Sequence, residues 1–174
     1  YGDRNKLLEP IDGEPMVRRA AQTLLEAGLE PVVAVVGHEA GAVGEALADL
    51  PVVTVENPDY EAGLATSVEA GLGALPDDVD AVVVALGDMP WVEPATVERL
   101  VAAFRAGAGA ALAAACDGER GNPVLWAAEH LPALADREGD VGGRELLYAT
   151  PGAALVETGD PGVRRDVDRP TDMG

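Results

Sequence analysis

The sequence has little of four groups that carry chemistry in many proteins: thiols, imidazoles, aromatic rings and amines. Its 174 residues include one cysteine, two histidines, six aromatic residues and a single lysine, Lys6. Cys116 has no partner for an internal disulfide and lies in an apolar run, which predicts an inert buried thiol. His38 and His130 are distant in sequence and neither has a cysteine nearby, so we expect no zinc site.

Long apolar runs are also absent. No segment approaches the roughly 18 apolar residues of a transmembrane helix, and no signal peptide is recognisable. Thirty-one acidic residues against twelve basic ones give a formal net charge of -19, which repels nucleic acid and anionic membranes. An acidic, lysine-poor composition is typical of salt-adapted proteins. We therefore expect a soluble cytoplasmic protein that binds neither nucleic acid nor membranes.

The sequence does contain a regular alternation of strand and helix signals. Short β-branched runs such as "PVVAVVG" and "DAVVVALGD" predict buried strands, and segments with apolar residues at helical spacing follow them. The length of 174 residues suits one domain. We predict a single domain over residues 1–174 with a three-layer α/β/α, Rossmann-like architecture and a mostly parallel sheet.

Ligands of such sheets bind outside the carboxyl ends of the strands. The loop "GDMPWV" occupies this place after one predicted strand, and it contains Asp88 directly after Gly87. A carboxylate at this edge suits Mg²⁺, which takes one or two carboxylates together with substrate phosphates. The alternative is that Asp88 caps a helix or forms a turn before Pro90.

A second pair of carboxylates lies near the end of the sequence, in "RRDVDRPTD". Asp166 and Asp168 flank one apolar residue, and we expect only one of them to face a given metal ion. In a protein this acidic, a solvated surface is the alternative interpretation of both residues.

Taken together, the motifs resemble the MobA-like nucleotidyltransferases, and among them most closely the molybdenum cofactor cytidylyltransferases. The resemblance covers essentially the whole chain and implies a sheet of the nucleotide-diphospho-sugar transferase type. Members of this family begin with a strand and a Gly-rich loop, and here Gly2 and Lys6 match only the end of that signature. We therefore expect residues 1–174 to lack the N-terminal strand and loop. The matching segments are "GDRNKLLEPIDGEPMVRRAAQTLLEAGLEPVVAVVGHEA", "NPDYEAGLATSVEAGLGAL", "ALGDMPWV", "GNPVLW", "GDVGGRELL" and "DVDRPTD".

The resemblance implies a reaction in which a phosphate monoester oxygen attacks the α-phosphorus of an NTP and releases pyrophosphate. Lys6 would neutralise the triphosphate and the transition-state charge with a compact ammonium that a planar guanidinium does not replace. Asp88 and Asp168 would hold Mg²⁺. The alternative for Lys6 is an ordinary solvated base.

The resemblance also implies two sets of binding residues. Asn122 stands where the family more often has His, which leaves acceptor recognition as its predicted role. Helix capping by Ser67, a surface position for His38 and turn formation by the glycines are the alternatives. Trp91 is either a packing residue or a stacking platform. The predicted nucleotide-binding residues are Lys6, Gly37, His38, Gly63, Ser67, Gly87 and Asp88, and the predicted acceptor-binding residues are Asn122, Gly142 and Gly143.

The expected activity is transfer from CTP to molybdopterin, with a molybdoenzyme as a recipient of the product. A guanylyltransferase acting on the molybdenum cofactor or on phospholactate, and a non-catalytic nucleotide-binding module, are the alternatives. A receiver-like signalling domain also combines a strand-end aspartate, a metal and a lysine. Its lysine follows the aspartate, however, whereas Lys6 precedes Asp88.

Overall fold

Strands and helices alternate in the computed structural model, which describes residues 5–136 and 143–168. The strands are β1 (Pro10–Ile11), β2 (Glu14–Pro15), β3 (Val32–Val36), β4 (Val52–Glu56), β5 (Ala81–Val84), β6 (Ala111–Cys116), β7 (Glu119–Ala127) and β8 (Ala153–Glu157). The α-helices are α1 (Met16–Glu26), α2 (Ala40–Leu47), α3 (Leu64–Leu72), α4 (Pro94–Arg105), α5 (Leu131–Ala135) and α6 (Gly143–Ala149). Short 3₁₀ helices cover Lys6–Leu8, Tyr60–Ala62, Ala128–His130 and Pro161–Arg164.

The long strands of the described residues form two hydrogen-bonded groups, and within each group every strand except β7 shares one direction. β3 and β4 pair in parallel, and the remaining long strands pair in the order β5-β7-β6-β8. β6 is parallel to β8, while β7 is antiparallel to both β5 and β6. The predicted α/β class with a mostly parallel sheet is therefore confirmed. The sequence pattern did not predict β7, because polar residues and a proline interrupt its first half.

Helices cover both faces of this sheet. Successive residues of β6 point to opposite faces, as in any strand: Ala113 packs in the cluster that contains Leu147 of α6, and Leu112 packs in the cluster that contains Leu100 of α4. All six residues of β6 are consequently buried, which explains why its sequence is a continuous apolar run. The predicted three layers are present. Across the described residues, every helix falls short of the length and apolar character that a membrane crossing requires.

A cleft of about 650 Å³ separates β3 from β5. Its lining includes Val33 and Val35 of β3, Val83 of β5 and, from the covering helices, Val68 and Phe104. Within residues 5–136 and 143–168, β3 pairs with β4 alone and β5 with β7 alone. Each strand therefore keeps one open backbone edge, and all the residues of β5 remain partly exposed although they are apolar. Two open edges and apolar walls fit one further strand.

The chain near residue 5 lies at the mouth of this cleft. The side chain of Asn5 donates to the carbonyl of His38, which follows β3, and Lys6 contacts Asp88, which follows β5. A parallel strand in the cleft would end at this same edge. We propose that the cleft accommodates an added extended apolar segment as a strand parallel to β3 and β5.

Adding such a segment is expected to stabilise the protein. An upstream extension of five apolar residues, the length of β3, joined by a short glycine-rich loop, should raise the free energy of unfolding by at least about 2 kcal/mol, because each buried Val-sized side chain contributes roughly 1.5–3 kcal/mol. Urea unfolding measures the change. The control extension carries two prolines, which cannot donate to either edge. Equal unfolding midpoints for the two extensions would contradict the proposal.

Candidate active site

One ammonium joins two carboxylates that are distant in the sequence. Nζ of Lys6 lies 2.7 Å from Oδ2 of Asp88 and 3.4 Å from Oδ1 of Asp168. The Asp88 side chain is 20% exposed and that of Asp168 is 70% exposed, so the group opens to solvent on the Asp168 side. The three residues meet beyond the carboxyl end of β5, at the edge of the sheet where the sequence predicts a ligand site.

The two aspartates keep Lys6 charged. Partial burial lowers the pKa of its ammonium, but the hydrogen bonds and Coulombic attraction of Asp88 and, secondarily, Asp168 together outweigh this effect. The net result is a pKa above the usual lysine value of 10.5. Lys6 is therefore a cation at neutral pH.

A short capped turn positions Lys6. Oδ1 of Asn5 accepts a hydrogen bond of 3.1 Å from the amide of Leu7, so Asn5 caps the 3₁₀ helix Lys6–Leu8. Leu7 packs against Gly87: a β-carbon on this glycine would lie 3.3 Å from Cδ2 of Leu7. Glycine at position 87 thus lets the lysine segment approach the end of β5.

Asp88 does not cap a helix. The next helix, α4, begins at Pro94 and has Glu93 at its N-cap position, so the capping alternative is wrong, whereas Asp88 does lie in a turn. The loop instead turns through a hydrogen bond from the amide of Met89 to the carbonyl of Leu86. The turn leaves the Asp88 carboxylate facing Lys6.

Asp168 is positioned through its neighbour Val167. Val167 is fully buried beside Met16, and its amide donates to the carbonyl of Asp88 at 3.0 Å. The ion pair of Asp168 contributes only about 0–1 kcal/mol because it is exposed, whereas burying a valine contributes roughly 1.5–3 kcal/mol. Packing of Val167 therefore fixes the carboxylate. Asp166 is exposed, and among the described contacts only Asp168 reaches Lys6 from this segment.

Asp160 anchors the segment that carries Asp168, and the sequence analysis did not single it out. It is 4% exposed and accepts hydrogen bonds from the amide of Glu93, the hydroxyl of Thr96 and the amide of Gly162, at 2.9, 2.7 and 2.7 Å. These bonds join the 3₁₀ helix Pro161–Arg164 to the start of α4. The Asp-Pro-Gly turn signature was the available signal.

The predicted nucleotide contacts after β3 have local structural reasons. A β-carbon on Gly37 would overlap the side chain of Tyr60, so packing alone accounts for this glycine. The His38 side chain is 60% exposed, and its backbone carbonyl accepts from Asn5 at 3.0 Å. His38 is thereby linked to the Lys6 segment through Asn5.

Gly63 and Ser67 lie at the start of α3. Gly63 has a φ of 118° at the N-cap position, a conformation that glycine adopts most readily. Ser67 is the fourth residue of the helix, and its hydroxyl accepts a 3.0 Å hydrogen bond from the buried side chain of Asn57. The capping alternative for Ser67 is therefore wrong. Among the described residues, no hydrogen bond or ion pair joins Gly63 or Ser67 directly to Lys6.

Two of the predicted acceptor residues fall within the described chain. Asn122 lines a small apolar cavity together with Leu86 and Met89, beside the carboxyl end of β5. Gly143 begins α6. Gly142 lies outside the described residues.

Trp91 is held by packing. Cζ of Arg165 lies 3.6 Å from the centre of its ring, and the ring also packs against the cluster of Ile11, Met16 and Val167. These contacts account for the tryptophan without a stacked base.

Arg120 is a second residue that the sequence analysis missed. Its Nε is buried and has no hydrogen-bond partner within the described residues. Burial lowers the pKa of its guanidinium; Tyr148 opposes this effect and the neighbouring Arg144 adds to it. An arginine directly before "GNPVLW", in a chain this acidic, was the available signal.

Asp88 and Asp168 fit a divalent cation of the magnesium class. Both offer hard carboxylate oxygens at one place, and such ions need only one or two carboxylates when phosphates and water complete the coordination. The described residues contain no group of three or more His, Cys, Asp and Glu side chains that could hold a metal. The donor set therefore suits an ion shared with a phosphate ligand and does not suit a closed structural site.

Two curated proteins show what this chain is similar to in sequence. Nicotine blue oxidoreductase of Paenarthrobacter nicotinovorans is 34% identical over 170 residues, 94% of this chain and 83% of that protein. The bifunctional protein GlmU of Kineococcus radiotolerans is 39% identical over 107 residues, 60% of this chain. The alignment spans only 22% of that GlmU's length.

The structural comparison agrees with the sequence comparison. Rv0371c of Mycobacterium tuberculosis, crystallised in complex with manganese, superposes with a TM-score of 0.80 and 26% identity over 98% of this chain and 90% of its own. The family model for the MobA-like NTP transferase domain matches residues 1–154. The chain therefore belongs to the MobA-like NTP transferase family.

Proposed function

We propose that this protein is a nucleotidyltransferase that joins a nucleoside monophosphate, taken from an NTP, to a phosphate-bearing acceptor. The contact of one ammonium with two carboxylates, at the carboxyl edge of β5, is the observation that carries the proposal. Membership of the MobA-like NTP transferase family supports it. The proposed catalytic residues are Lys6 and Asp88.

In the proposed reaction an oxygen of the acceptor phosphate attacks the α-phosphorus of the NTP. The bond from this phosphorus to the oxygen bridging it to the β-phosphate breaks, and pyrophosphate leaves with the bonding electron pair. Little covalent chemistry is required of the protein, so positioning and charge neutralisation provide most of the rate acceleration. Lys6 is the cation available for this purpose, because its raised pKa keeps it protonated.

Asp88 and Asp168 are the proposed ligands of a divalent cation. When bound, Mg²⁺ or Mn²⁺ would neutralise and orient the phosphates of the NTP. Asp88 is the more buried of the two carboxylates, so its position is more constrained than that of Asp168. Lys6 would then exchange its carboxylate partners for phosphate oxygens.

The favoured substrates are CTP and the molybdenum cofactor. This choice follows from the motifs in the sequence, of which "ALGDMPWV" and "DVDRPTD" contribute Asp88 and Asp168. Guanylyl transfer to the molybdenum cofactor or to phospholactate is the nearest alternative. In either case Asn122 is the proposed acceptor contact, because it lies beside the carboxyl end of β5.

Oxidoreductase activity is the second candidate, because the relative named nicotine blue oxidoreductase matches 94% of the chain. Hydride transfer between organic molecules does not need two carboxylates that hold a metal beside a lysine. The arrangement of Lys6, Asp88 and Asp168 therefore favours nucleotidyl transfer.

Pyrophosphate release tests the proposal directly. The protein is incubated with CTP, GTP or ATP, each with molybdopterin or a sugar phosphate, with Mg²⁺ or with a chelator. We expect metal-dependent pyrophosphate with CTP and molybdopterin. Oxidation of NADH or NADPH in the presence of nicotine blue is measured in parallel. Reduction of the dye without pyrophosphate from any NTP would contradict nucleotidyl transfer and favour the second candidate.

Substitution of the two proposed metal ligands should abolish turnover without unfolding the protein. Asp88→Asn and Asp168→Asn each keep the side-chain shape but remove a charge, and we expect kcat to fall at least about a hundredfold. Asp166→Asn is the matched control, since Asp166 is exposed two residues away, and it should stay within about twofold of the original rate. Equal effects at positions 166 and 168 would show a general charge effect instead of a metal site.

A conservative change at Lys6 is expected to fail. Lys6→Arg keeps the positive charge but replaces a compact ammonium with a larger, planar guanidinium. The guanidinium does not fit at the position where the ammonium lies 2.7 Å from Asp88. We expect kcat to fall about a hundredfold or more, close to the loss in Lys6→Met. Full activity of Lys6→Arg would mean that any cation suffices there.

A further inference from the structure

Arg120 lies at the same edge of the sheet as the lysine and the two aspartates. β7 runs antiparallel to β5, so the start of β7 lies beside the carboxyl end of β5. The next residue, Gly121, packs so closely on the backbone of Val163 that a β-carbon would overlap it. The segment that contains Val163 continues to Asp168. Arg120 is therefore next to the elements that form the candidate active site.

The surroundings of Arg120 differ from those of three other arginines in this protein. Arg18, Arg19 and Arg164 each pair with a carboxylate. Among the described residues, neither Arg120 nor Arg144 has a carboxylate within ion-pair distance, although acidic residues outnumber basic ones 31 to 12. The positive charge of Arg144 instead adds to the burial that lowers the pKa of the Arg120 guanidinium. Like charges repel, and a buried donor without an acceptor is destabilising.

An anion would relieve both penalties at once. A guanidinium presents its N–H groups in a planar fork that matches the oxygens of a phosphate or a carboxylate. Nε of Arg120, the buried donor, belongs to that fork. Tyr148, which is 66% exposed, lies one helical turn after Arg144 on α6. The positive charge and the solvent exposure of this group are those of an anion-binding site.

We infer that Arg120 and Arg144 bind a phosphate group, and that this phosphate belongs to the acceptor; the second part of the inference rests on the proposed function. Lys6, engaged with Asp88 and Asp168, is the cation assigned to the triphosphate. The NTP and the acceptor, which both carry phosphate, would thus bind two separate cationic groups. This arrangement reduces the repulsion that would keep two anions apart in a protein of charge -19.

Inorganic phosphate is the probe for this site, without nucleotide or metal. In ¹⁵N-labelled protein, the Nε–Hε resonance of Arg120 should shift saturably during the titration, because this is the N–H group without a partner. Arg144→Gln should weaken phosphate binding about tenfold, since a charge-assisted pair is lost. Arg105→Gln is the control, because Arg105 is exposed at the end of α4 and should leave phosphate binding unchanged.

CTP titration separates the two sources of phosphate. Arg120→Lys and Arg144→Gln should weaken phosphate binding while the Kd for CTP with Mg²⁺ stays within about twofold. A loss of CTP affinity equal to the loss of phosphate affinity would overturn the acceptor assignment. If the Nε–Hε resonance of Arg120 in the unsubstituted protein does not shift when phosphate is added, the proposed site is wrong. This measurement does not depend on whether any variant folds. Because it also needs no turnover, its failure is distinguishable from failure of the pyrophosphate assay.

Discussion

The contact of Lys6 with Asp88 and Asp168 is the interaction on which the account depends, because it brings together parts of the chain that are far apart in sequence. The ion pairs do not fix this geometry by themselves, since the pair with Asp168 is exposed and weak. Backbone packing fixes it: Leu7 lies on Gly87, and the amide of Val167 bonds to the carbonyl of Asp88. Placed in this way, a cation and two hard oxygen donors can act on one phosphate chain.

Local sequence signals predicted most of the fold. The helix that ends before Gly28 and the strands β3 and β5 follow from periodicity, because each buries an apolar face against a neighbouring layer. β7 was not predictable in the same way, since Arg120, Asn122 and Pro123 interrupt its apolar pattern. Only pairing with β5 and β6 makes this segment a strand. Its antiparallel direction is a property of the sheet and has no local signal.

The site was predictable where a residue type is scarce or ends a strand. Lys6 stood out as the single lysine and Asp88 as the carboxylate after a buried run, and the structure brings both together with Asp168. Asp160 escaped notice because two of the three hydrogen bonds that it accepts come from Glu93 and Thr96, which are distant in sequence. The position of Arg120 before "GNPVLW" was a weak signal, because only the fold shows that its Nε is buried without a partner among the described residues. Composition identifies the chemistry, but the supporting contacts need the fold.

Anomalous diffraction from crystals grown with Mn²⁺ and an NTP analogue that cannot react tests the central claim most directly. The account predicts one manganese peak bound by carboxylate oxygens of both Asp88 and Asp168, with the Lys6 ammonium moved from these oxygens to the triphosphate. A manganese ion bound elsewhere, or Lys6 still paired with both aspartates while the nucleotide occupies another part of the surface, would contradict the account.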